Sequence, residues 1–121
     1  MTKTYLTRDA ILKATDLPTE PVDVPEWGGT VLVRGLNGAE RDAYEASMVK
    51  QVGKEAKMNM ENMRAKLVAM CIVDGDGKRI FTQADAEALG KKSGNVLQRV
   101  FLVAQRLSGL ATADLEISAK N

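Results

Sequence analysis

The run from Val22 to Asp42, V-D-V-P-E-W-G-G-T-V-L-V-R-G-L-N-G-A-E-R-D, constrains the fold more than any other part of the chain. It reads as a short strand, a four-residue turn Glu26-Trp27-Gly28-Gly29 and a second strand Thr30–Arg34. The paired glycines supply the positive φ that a tight hairpin needs, and Val31 and Val33 alternating with Leu32 fit a half-buried strand. Asn37, with Glu40 three residues on, has the form of a capping box in which two side chains satisfy helix N-terminal amides. The spacing predicts a hairpin over residues 21–25 and 30–35, then a helix from Gly38 to Val49.

Two longer helices carry the predicted core. Between Asn59 and Val73, Met60, Met63, Leu67 and Met70 recur at intervals of three and four and stack on one face, with Cys71 beside them. From Val68 onward this segment is apolar all round, which calls for burial. Between Ser93 and Ser108, Val96, Leu97, Val100, Phe101, Val103, Ala104 and Leu107 fill one broad arc. Asn95, Gln98, Arg99, Gln105 and Arg106 fill the other, and Leu102 falls in the middle of that polar arc. Leu67, Cys71, Val100 and Phe101 are expected to be buried and Leu102 exposed.

The remaining segments are shorter. Thr7 opens a stretch Arg8–Ala14 with Leu6, Ile11 and Leu12 available for packing, and the prolines between 18 and 25 end it. Gln51–Lys57 is polar and interrupted by Gly53, so a mobile loop and a loosely continued helix both fit. Thr82 and Asp85 start a helix through Leu89, and Thr112 caps a last one through Ser118. The expected fold class is α+β, predominantly α-helical: one small β-hairpin with four or more helices packed around a single core. The expected organisation is one domain over 1–121, with an N-terminal helix and linker (1–20), the hairpin (21–35) and a helical region (37–118).

Composition excludes more than it identifies. With 121 residues and 45% hydrophobic content, the chain can bury a real but small core. Seventeen basic against sixteen acidic residues leave a net charge of +1, which argues against a nucleic-acid binder. No apolar stretch approaches the ~20 residues needed to cross a bilayer, and no signal peptide opens the chain, so a cytoplasmic, non-membrane protein is expected. There is no histidine, which removes Ser-His-Asp and Cys-His catalysis. The lone Cys71 reads as a small buried hydrophobe. Asp74-Gly75-Asp76-Gly77 fails as a calcium loop, because positions five and six from Asp74 are Lys78 and Arg79. Gly90-Lys91-Lys92-Ser93 fails as a phosphate loop, because the upstream glycine it requires is Asp85. Neither an enzyme nor a cofactor nor a metal site is expected.

The candidates for partner binding are Trp27, Met58, Met60 and Leu102. Four of the six methionines lie between Met58 and Met70, and methionine suits a plastic surface for an ill-defined apolar client. Periodicity assigns Met63 and Met70 to the core but leaves Met58 and Met60 open between core and client. Trp27 is either an anchor on the hairpin tip or a lid on the core. Leu102 is a candidate for self-association or client contact.

The ordered series of segments L-T-R-D-A-I-L (Leu6–Leu12), V-P-E-W-G-G-T-V-L-V-R-G-L (Val24–Leu36), G-A-E-R-D (Gly38–Asp42), L-G-K-K-S (Leu89–Ser93) and V-F-L-V-A-Q-R-L-S-G-L (Val100–Leu110) resembles the tail assembly chaperones of long, non-contractile-tailed phages. The resemblance implies a largely helical cytoplasmic helper, absent from the mature virion. Such a helper keeps the coiled-coil-rich tape measure protein soluble and brings major tail tube subunits to it. It also implies two forms, the longer made when ribosomes slip back one nucleotide near the end of the first frame. Ala119-Lys120-Asn121 can be encoded with the slippery string A-AAA-AAC. A head–tail connector or tail terminator that stays in the virion is the alternative.

Overall fold

The computed structural model describes residues 4–110; the helix expected at Thr112–Ser118 and the Ala119-Lys120-Asn121 end lie outside the described residues. The hairpin forms as β1 (Thr19–Val24) and β2 (Gly29–Arg34), antiparallel, with Val22 opposite Val31 and Val24 opposite Gly29. Pro25, whose ring fixes φ, begins a 3₁₀ turn through Trp27, and Gly28 closes it at φ 81°, where a side chain would be strained. Pro21 is tolerated because β1 is an edge strand. Val22, Val24 and Val33 are buried by the period-two alternation.

Helix α2 (Gly38–Ser47) starts at the predicted capping box: the Glu40 amide donates to Asn37 Oδ1 at 2.8 Å, and the Asn37 amide to Glu40 Oε1 at 3.0 Å. After it come two short strands, β3 (Val49–Val52) and β4 (Glu55–Met58). Helix α3 (Met63–Cys71) runs into β5 (Ile72–Val73), which pairs with the free side of β2. A 3₁₀ turn (Gln83–Asp85) leads to α4 (Ala86–Leu89), and α5 (Gly94–Leu107) completes the described chain. α3 and α5 pack on one another, and α5 also lies against β1 and β2. Leu67, Val68, Cys71, Ile72, Val96 and Val100 are fully buried where these elements meet. Gly35 lets the chain after β2 pass so close to the end of α5 that a Cβ there would collide with the Leu107 carbonyl. Beside it the Leu36 amide donates to Ser108 Oγ at 3.0 Å.

The expectation of a helix-dominated fold around one core is corrected. Of the described residues, 46% are helical and 21% are strand, in a three-stranded and a two-stranded sheet. Residues 51–57 form neither a mobile loop nor a continued helix. They belong to the β3–β4 hairpin, whose eight strand residues are all exposed, so this sheet stands outside the core. The first helix, α1 (Arg8–Lys13), likewise buries nothing, and Leu6, Ile11 and Leu12 are exposed. α3 starts at Met63 rather than Asn59, because Asn62 takes a left-handed conformation at φ 54°. Its apolar C-terminal end leaves the helix as β5, since the open edge of β2 satisfies the backbone there as well as another helical turn would. Gln105, placed on the polar arc of α5 by periodicity, is buried.

Candidate partner interface

Three exposed features hold the candidate residues. The first is the β3–β4 hairpin. Its loop is Gly53-Lys54, with Gly53 at φ 62°, the first loop position where two-residue hairpins favour glycine. Alternation puts Val49 opposite Met58 and Gln51 opposite Ala56 on one face, and Lys50 opposite Lys57 and Val52 opposite Glu55 on the other. The Asn59 amide bonds the Met48 carbonyl at 2.6 Å, closing the base of the hairpin. Met58 is 69% exposed, and Met60, just past the base, is 45% exposed.

The second feature is a pair of neighbouring clefts. One, of about 450 Å³, is lined by Glu26, Trp27, Phe81, Asp85, Leu89 and Lys92. The other, of about 360 Å³, is lined by residues that include Met60, Asn62, Gly90, Lys92 and Leu97. Lys92 lies on both walls, so it links the Trp27 cleft to the Met60 cleft. Trp27 is half-buried and packs on the core while also facing its cleft.

The third is the outer face of α5. Leu102 is 47% exposed there. Arg99, on the preceding turn, holds both oxygens of Glu26 at 2.9 and 2.7 Å, and Arg106, on the following turn, holds Glu20 at 2.7 Å. The hydrogen bonds from Arg99 pull the Glu26 carboxyl down to about 2. Both arginines thus reach toward β1 and its turn, leaving Leu102 uncovered between them. The Glu26–Arg99 pair is also the link between the Trp27 cleft and Leu102, whereas Met58 stands apart on the hairpin.

Burial pushes the Cys71 thiol up to about 11, so it stays protonated near neutral pH. Asp74 is occupied by its own turn, accepting from the Asp76 and Lys78 amides at 2.8 and 3.0 Å. Among the described residues, no group of three or more acidic, cysteine or histidine side chains could hold a metal ion, and no helix is long and apolar enough to cross a membrane.

Sequence reasoning missed the hairpin's Val49, Lys50, Val52 and Lys57, and with them its two distinct faces. The signal available was Gly53-Lys54 between valine-bearing segments, a two-residue loop at strand spacing. It also missed Phe81 as a cleft wall, for which no local signal exists.

A family model described as phage tail assembly chaperone matches residues 7–120. Among solved structures, the bacteriophage HK97 tail assembly chaperone is similar with a TM-score of 0.57 and 23% identity, over 78% of this chain and 85% of that one. At that identity the likeness speaks for the fold. No curated protein is significantly similar in sequence.

Proposed function

This chain belongs to the phage tail assembly chaperone family, and from that premise we propose that it binds the tape measure protein, keeps it soluble, and helps recruit major tail tube subunits through an extended form. The observation that carries this reading is the set of apolar side chains left outside a small core: Val49 and Met58 on the hairpin, Met60 at its base, and Leu102 on α5. A tape measure helix exposes apolar stripes that aggregate unless covered, and several modest apolar contacts cover them reversibly. Trp27, beside a cleft, adds an aromatic surface of the kind that anchors interfaces. On this reading the protein works in the host cytoplasm, self-associates, uses no cofactor, nucleic acid or membrane, and is absent from the mature virion.

The test is capture from infected cells with this chain as bait, alongside proteomics of purified virions. The expected result is recovery of the tape measure protein and of tube subunits, with the chain missing from virions. Finding the chain as a stoichiometric virion component, with no tape measure protein captured, would contradict the proposal.

A further inference from the structure

We propose that the Lys50–Lys57 face of the β3–β4 hairpin is a docking site for a carboxylate-bearing helical segment, which on the reading above is a stretch of the tape measure client. Lys50 and Lys57 are cross-strand partners. Directly opposed side chains have Cβ atoms about 4.5–5.5 Å apart, and like charges at that spacing disfavour the pairing. The hairpin keeps this repulsion although it has little support beyond the bond at its base: none of its strand residues is buried, and a lone two-stranded ribbon is marginal in water. No ion pair among the described residues takes up Lys50, Lys54 or Lys57.

Charge and spacing together name the occupant. Residues 49–58 hold three lysines and one glutamate, a net charge of +2, against +1 for the whole chain. The hairpin is therefore locally basic. A carboxylate seated between Lys50 and Lys57 pairs with both ammonium groups and offsets the cross-strand repulsion, leaving one net positive charge in place of two. The next pair on the same face is Val52 with Glu55, two residues along each strand. That step is about 6.6–6.8 Å, close to the roughly 5–6 Å between side chains one turn apart on a helix. A helix that places a carboxylate over the lysine pair brings its next-turn residue to Val52 and Glu55, where an apolar side chain packs on Val52 and a second carboxylate is repelled by Glu55. Coiled-coil sequences carry this pattern wherever glutamate, one of the two charged residues common beside the apolar seam, holds the flanking position. A nucleic acid fits less well, because Glu55 shares the face and the chain as a whole is nearly neutral.

The experiment uses the full chain and two synthetic helical peptides with the same leucine stripe, flanked in one by glutamate and in the other by glutamine, measured by fluorescence anisotropy. The glutamate peptide should bind at least tenfold more tightly, with an advantage that shrinks as salt rises. Lys50→Glu combined with Lys57→Glu should abolish that advantage. Lys50→Glu alone should weaken binding while leaving the thermal transition unchanged or higher, because it turns a repulsive cross-strand pair into an attractive one. Equal affinity for the two peptides, or an unaltered preference in the double variant, would overturn the site. Retention of duplex DNA with the same lysine dependence would overturn it too, by making the hairpin a phosphate contact. Co-expression with the tape measure protein separates this from the broader reading. If the double variant still retains the client, the docking site fails and the chaperone role stands; if the unmodified chain retains none, the chaperone role itself fails.

Discussion

Arg99 donates two hydrogen bonds, of 2.9 and 2.7 Å, to the two carboxylate oxygens of Glu26, and so clasps the middle of α5 to the turn between β1 and β2. The pair is solvent-exposed, so its worth lies in position more than in stability. It holds the wall of the Trp27 cleft against the helix that presents Leu102. Because the Glu26 carboxyl is lowered from 4.5 to about 2, whatever the pair contributes is fully present above pH 4.5 and is lost as pH falls through about 2. A carboxyl-resolved NMR titration should give a Glu26 midpoint near 2, and Arg99→Ala should return it toward 4.5. A midpoint near 4.5 in the unmodified protein would show that the clasp does not persist in solution.

Leu102→Asp should leave the protein folded with an unchanged thermal transition, since Leu102 is about half exposed and its loss opens no cavity. On the proposed function it should weaken self-association or client solubilisation. A collapsed thermal transition would place Leu102 in the core.

Phe101→Ala removes a buried ring where α3 and α5 meet, over which the Arg64 guanidinium also lies at 5.8 Å. The expected cost is about 3–5 kcal/mol, a large part of the roughly 5–15 kcal/mol that holds a small domain folded. Chemical denaturation measures it, and a loss below 1 kcal/mol would contradict the packing described.

Gly35→Ala should destabilise by about 1–3 kcal/mol, because the added Cβ meets the Leu107 carbonyl, backbone that cannot simply rotate away. Gly29→Ala serves as the control. Nothing lies within 4 Å of a Cβ there and its φ is not positive, so its stability should change by about 0.5 kcal/mol or less. Equal effects at both positions would rule out the close approach.

Alkaline pH should destabilise the fold. Burial raises Cys71 from 9.0 to about 11 and Tyr44 from 10.0 to about 12. Both groups ionise more readily once unfolded, so their contribution is intact below pH 9 and fades as pH rises through 11 to 12. Melting temperatures between pH 8 and 11 should fall, and Cys71→Ala should flatten the first part of that decline. Lack of any slope over this range would show that the two groups are not shielded as described.

The parts of the fold legible in the sequence were those with one unambiguous period or cap. The β1–β2 turn, the Asn37–Glu40 capping box, the seam between α3 and α5, and exposed Leu102 all follow from local spacing. The β3–β4 hairpin did not, because five of its eight strand residues are Lys, Gln, Glu or Ala, good helix formers or weak strand formers, and only Gly53-Lys54 marks the loop. β5 was hidden because Ile72-Val73 continues an apolar run, and such a run reads equally as buried helix or buried strand. Leu6, Ile11 and Leu12 suggested packing, yet α1 lies off the core; apolar content alone does not say what a helix meets. For the interface, Trp27, Met58, Met60 and Leu102 could be named from chemistry. The Lys50–Lys57 juxtaposition required knowing the register.

The most direct test of the chaperone role is the solubility of the cognate tape measure protein expressed with and without this chain, read by sedimentation of the lysate. The account predicts that the tape measure protein pellets alone, and that with this chain present it stays in the supernatant and co-purifies with it. A tape measure protein that pellets equally in both cases, with none bound to this chain, would contradict the account.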